Sequence, residues 1–185
     1  MKEKDLMPLP LEDLQFLKAR YARARNKYRP SAIQVLIVAE APPCTPERYF
    51  YFEDVRKHDS LFLEIMGVLY PENKQRYLKS RRDPAIKEEL LEGFKEDGFW
   101  LLDLSEVPPE LEPIELQDCM PGLRKRLEQY IDKTTPIILI KASVYDICFA
   151  MLREEGYNVK DLRIPFPGSG QQGVFREMFK KALQT

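Results

Sequence analysis

The sequence predicts an α/β fold: three layers, α/β/α, around a central, mainly parallel sheet of four strands. Three observations predict it. Short apolar runs rich in β-branched residues recur along the chain. Segments with apolar residues at helical spacing separate them, and the 15 prolines fall mostly at the boundaries, where a missing N–H does least harm. Strands that alternate with helices at this spacing are joined by crossovers and run parallel. A chain of 185 residues that is 44% hydrophobic is long enough to bury a core and reads as one domain, residues 1–185.

The first element, about Leu11 to Tyr28, spaces Leu14, Leu17 and Tyr21 as a helix would and is closed by Pro30. It is expected to be an N-terminal helical extension. Ile33 to Ala39 is a continuous apolar run, as a strand covered on both faces requires. Asp59 or Ser60 is placed to cap a helix carrying Leu61, Phe62, Ile65 and Leu69. A further helix, Pro84 to Glu96, buries Ile86, Leu90, Leu91 and Phe94. The pattern then repeats. Phe99 to Leu104 is strand-like, Pro121 opens a helix with Leu123, Leu127 and Ile131, and Pro136 to Ile140 is the clearest strand. Val144 to Glu155 is helical and stops at Gly156. Val159 to Ile164 is expected as a fourth strand, and Gln171 to Leu183 as a last helix with Val174, Phe175, Met178 and Phe179 inward.

Composition narrows the function classes. No apolar run approaches the roughly 20 residues of a membrane span, and Met1 to Asp5 has no secretory character. A cytoplasmic, monomeric protein without a membrane partner is expected. The net charge of -1 argues against coating nucleic acid by bulk charge but allows a local basic face. Two basic runs exist, Lys18 to Arg29 and Lys74 to Arg82, which also read as a solvated helix face and a solvated loop. The three cysteines, Cys44, Cys119 and Cys148, lack C-x-x-C spacing, and His58 is the single histidine, so neither a metal nor another cofactor is expected.

In a sheet of this kind, sites form at the carboxyl ends of the strands. Three loops lie there. The first, Val38-Ala39-Glu40-Ala41-Pro42-Pro43, resembles the G-E-A-P-G signature of uracil-DNA glycosylases of the thermophile type. The second, Phe99 to Pro109 with Asp103 and a Pro108-Pro109 pair, is similar to the strand that in those proteins carries a base-reading asparagine. The third, Ile164 to Gly170, stands where the family places its second motif and is nearest to histidine-free versions. The stretch from Cys119 to Gly156 also follows the family's order of elements, so the resemblance covers about Ile33 to Leu183. The cysteines that hold the iron–sulfur cluster of the thermophile-type group are missing, and no cluster is expected.

The resemblance implies a DNA glycosylase-like hydrolase in base excision repair, with DNA as partner, or a binding module that kept the fold and lost catalysis. Glycosidic cleavage produces a cationic sugar and an anionic base, so it calls for a carboxylate under the sugar and donors at the base. Glu40 is the expected water-orienting carboxylate; it also reads as a solvated loop acid or a cap. Ser169 and the amides of Gly168 and Gly170 are the candidate donors. Pro42 and Phe50 are expected against the base, Phe50 by stacking, and Arg48, Arg81 and Arg82 against the nucleic acid. Asp103 replaces the family's asparagine. As an ionised carboxylate it only accepts, which opposes the carbonyls of uracil, so Asp103→Asn is expected to raise uracil binding.

Overall fold

The computed structural model describes residues 10–112, 114–168 and 170–185. Three parallel strands, β1 (Val35–Ala39), β2 (Phe99–Asp103) and β3 (Ile137–Leu139), form one open sheet in the order β2-β1-β3. Ile37 sits between Leu101 on one side and Ile138 on the other. Only Val35 and Phe99, at the amino ends, escape full burial, which explains why these runs are apolar throughout rather than alternating.

The expected fourth strand is not formed. Residues 159–164 touch β3 by two isolated parallel bridges, Ile137 to Val159 and Ile140 to Ile164. Between them the backbone curls: the N–H of Leu162 donates to the Lys160 carbonyl and that of Ile164 to the Leu162 carbonyl. A backbone folded on itself every second residue cannot keep the extended rise of a ladder. The sheet therefore has three strands.

The helices among the described residues are α1 (Leu11–Lys27), α2 (Ser60–Leu69), α3 (Pro71–Lys79), α4 (Pro84–Glu96), α5 (Met120–Tyr130), α6 (Ala142–Glu154) and α7 (Gln172–Gln184). α4 packs on β2, α6 on β3, and α2 lies between α3 and α7. α4 starts at Pro84 as the sequence predicts, and the Asp83 carboxylate, accepting from Ala85 N–H, caps it. α3 was expected as a loop. Its residues are nearly all polar, but Pro71 starts it and Tyr77 anchors it, fully buried, with its hydroxyl donating to the Val55 carbonyl. Two further assignments change. Ile131, expected on α5, lies beyond its end in extended backbone while still packing on the core, and Val174 is exposed because the buried stripe of α7 runs through Phe175, Phe179 and Ala182.

α1 is more than an extension. Leu14, Leu17 and Tyr21 belong to the same apolar cluster as the sheet, and Arg25, expected on a solvated face, is turned inward. The Trp100 indole N–H on β2 donates to the Arg25 carbonyl at 3.2 Å, tying helix to strand. On the outer edge of β2 the Tyr51 hydroxyl accepts from Leu101 N–H at 2.7 Å and donates to the Leu101 carbonyl at 3.1 Å.

Candidate functional site

Beyond the carboxyl ends of β1 and β2 lies a hollow of about 170 Å³. For scale, an engineered apolar cavity of roughly 150 Å³ takes a benzene ring. Ala41, Pro42 and Pro43 line it from the first loop; Arg48, Tyr49 and Phe50 from the turn that follows; Leu101 and Asp103 from β2; and Phe166 from the third loop. The last wall is the start of α2, from His58 to Phe62. Backbone pairing carries on past the strands and fixes the first two loops together: Leu104 N–H donates to the Ala39 carbonyl and Ser105 N–H to that of Glu40.

Four of the expected site residues, Pro42, Arg48, Phe50 and Asp103, thus share one hollow. Phe50 is buried, its ring edge-on to Phe62 and Tyr51, so it presents a limited surface to the hollow rather than an open stacking face. Phe166, an exposed large aromatic at 42%, is the freer ring at the mouth. Gly168 is where it is to make room for that ring: a Cβ there would meet Phe166 Cδ1 at 3.1 Å. Gly170 has φ +84, which a glycine adopts without strain. Neither glycine lines the hollow, contrary to expectation. Ser169 lies outside the described residues.

The Glu40 side chain is half-buried and does not line the hollow, although Ala41 next to it does. Its carboxylate accepts from Lys141 Nζ and Ser143 Oγ at the start of α6. Arg82 reaches the site indirectly, by an ion pair at 3.0 Å with Asp59, while Arg81 is exposed. Asp59 or Ser60 was expected to cap α2; Asp59 stands at the N-cap position, but its side chain makes no cap bond and its carboxylate instead receives Arg82.

Two features escaped the sequence reading. His58 stood far from every motif, yet it lines the hollow at the entry to α2 with φ 57. Among the described residues the four non-glycine residues in left-handed backbone are His58, Arg81, Arg82 and Lys141, all basic; Lys141 holds Glu40 and Arg82 holds Asp59. Such backbone is sparsely populated and gathers at functional sites. The only sequence signal was a lone histidine directly before a helix start.

The second is the setting of Asp103, which is 3% exposed. Burial pushes its carboxyl up to about 7, against the pull of Arg25 and Arg126. It is therefore not the plain ionised acceptor that the sequence suggested. Arg126 donates through Nη1 to the Asp103 carbonyl at 2.8 Å and through Nη2 to that of Leu104 at 3.0 Å, holding the end of β2 in place.

A larger groove, about 640 Å³, opens at the amino ends of the strands between residues 29–34 and 129–135. None of its described lining residues carries a buried side-chain atom without a partner, whereas Tyr49 Oη and Asp103 Oδ2 at the hollow both do. The hollow is the better candidate for chemistry. Among the described residues, no three His, Cys, Asp or Glu side chains are gathered as metal ligands, and no helix is long and apolar enough to cross a membrane. No family model, curated protein or solved structure matches the chain.

Proposed function

We propose that the chain is a DNA glycosylase-like hydrolase built on the three-layer plan of the uracil-DNA glycosylase superfamily, and that the hollow takes one base turned out of a nucleic-acid strand. The observation that carries this reading is the meeting of Pro42, Phe50 and Asp103, from three separate segments, around a hollow of single-ring size. The ring lies against Phe50 and Pro42 with Phe166 closing over it, and Asp103 meets its polar edge. Phe166, the freer ring, supplies the stacking face, and such stacking is worth about 1–3 kcal/mol per base. His58, at the rim, is the donor for the departing base, a role that the third-loop glycines do not fill from outside the hollow. Glu40, held by Lys141 and Ser143 beside the first loop, orients the water and faces the cationic sugar. Arg48 meets the phosphate backbone.

Single-turnover excision tests this on oligonucleotides carrying uracil, single- and double-stranded, with hypoxanthine, a two-ring base, as the contrast that a single-ring hollow should excise less well. Excision is expected to fall by about 10²-fold or more in Glu40→Gln, and by a comparable factor in His58→Asn. Wild-type excision unchanged by both substitutions would sink the assignment. A second reading, a binding module without catalysis, draws on the fact that the Glu40 carboxylate is occupied by Lys141 and Ser143 and stands off the hollow. Salt-sensitive oligonucleotide binding with no excision of any base decides for it.

A further inference from the structure

Lys141 joins the end of β3 to the start of α6 in backbone that favours glycine, with φ 83 and ψ 137. Its main chain is held on both sides. Ile140 N–H donates to the Val38 carbonyl at 2.8 Å, Lys141 N–H to the Ile164 carbonyl at 3.0 Å, and Tyr145 N–H to the Lys141 carbonyl at 3.1 Å. A glycine makes the same turn without strain. What the lysine adds is its ammonium, which donates to Glu40 Oε1, while Ser143 Oγ donates to Glu40 Oε2. The Lys141 side chain is 42% exposed, and an ion pair so open to solvent adds less stability than strained backbone costs. Stability therefore gives no reason for a lysine at this turn.

We propose that Lys141 is a positioning residue for Glu40: together with Ser143 it fixes the plane of the carboxylate, so that the remaining acceptor sites stay aimed at the water that attacks the sugar. This rests on the base-excision reading above. A carboxylate has about four acceptor sites, two on each oxygen. Lys141 and Ser143 each take one, on different oxygens, and each oxygen keeps a site for water. In the step they serve, the water oxygen bonds to the anomeric carbon and the water proton passes to Glu40. The electron pair of the broken C–N bond leaves with the base as its anion. Neither Glu40, Lys141 nor Ser143 lines the hollow, whereas Ala41 does, so the clamp acts on the chemical step and not on the seat of the ring. A carboxylate without the clamp samples orientations that miss the line of attack, and misplacement of about 1 Å can cost about 10²-fold in rate. The contacts that occupy Glu40 in a binding module are, on this view, the device that aims it.

The test is single-turnover excision of uracil from an oligonucleotide by the wild type, Lys141→Gly and Lys141→Met, beside thermal unfolding and calorimetric binding of uridine. Lys141→Gly removes the ammonium and relieves the backbone; Lys141→Met removes the ammonium and leaves the backbone as it is. In both, the excision rate at saturating protein is expected to fall about 10- to 100-fold while uridine affinity stays the same. The Tm of Lys141→Gly is expected to hold or to rise by up to about 4 °C, so that stability and rate part company. Should Lys141→Met not fold, Lys141→Gly makes the measurement in backbone that suits it. Excision unchanged by loss of the ammonium overturns the proposal. So does a rate loss that merely follows a loss of Tm, which marks a structural pair, or a weakened uridine affinity at an unchanged rate, which puts Lys141 in the ligand seat. No excision by the wild type overturns the catalytic reading itself, and the positioning role with it.

Discussion

The floor of the hollow and the space behind Phe62 each hold a buried ionisable group, and they differ in one respect. Asp103 borders the hollow. Lys87 on α4 is fully buried, with its Nζ 4.3 Å from the Phe62 ring centroid and no hydrogen-bond partner; Phe62 lines the hollow, and Lys87 does not. Burial drives both toward the neutral form, the Asp103 carboxyl up and the Lys87 ammonium down, each to about 7. Perturbed groups mark functional sites only by association. Here access decides: one group can meet a ligand, and the other is shut behind an aromatic ring that takes up part of its charge.

That contrast can be broken by substitution. The largest effect is expected from Lys87→Met, which removes the penalty of a charged amine in the core: stabilisation of up to about 5 kcal/mol below pH 7, fading toward pH 10.5, with nucleoside binding unchanged. Chemical denaturation at several pH values measures it, and altered ligand binding would show that Phe62 is no barrier. Asp103→Asn comes next, with up to about 4 kcal/mol gained above pH 7 and little below pH 4, together with tighter binding of uridine. The signs follow from proton uptake. Asp103 binds its proton more tightly when folded, so its contribution is full below pH 3.8 and lost as pH rises to about 7. Lys87 binds its proton less tightly when folded, so stability returns between about 7 and 10.5. These two groups together predict a dip in wild-type stability near neutrality, and each variant should erase one side of it.

Smaller effects sharpen the same picture. Tyr51→Phe strips Leu101 of its partners on the outer edge of β2 and is expected to destabilise by about 1–3 kcal/mol, readable as a lower Tm. Arg48→Ala should leave Tm unchanged and lower the slope of log affinity against log salt for an oligonucleotide by about 1.

Three strands and α4 were legible in the sequence because local signals agree there, apolar runs and Pro84 at a first turn; the fourth strand was not, since two isolated bridges replace its ladder. α3 was not, since a single tyrosine carries its burial and the remaining residues look like a solvated loop. The strand-end rule pointed to the loops, and the resemblance singled out Asp103 and Pro42 in them; both line the hollow. His58 and Arg25 were missed for a physical reason. Their place is set by contacts between distant segments, such as the bond across 75 positions from Trp100 to residue 25, and no spacing along the chain encodes such a meeting. The third-loop glycines misled because glycine permits both a close approach to ligand and close packing of a neighbouring ring, and here Gly168 does the second.

The Tyr51 hydroxyl serves Leu101 as a neighbouring strand would, one acceptor and one donor on the open border of β2. With the groups of Leu101 already matched, the middle of that border offers less of a template to another copy of the chain. Because residues 48–50 wall the hollow and residue 51 is pinned to the sheet, any widening of that wall to admit a larger guest would pull on the pin. Resistance to self-association and selectivity for small rings would then rise or fall together.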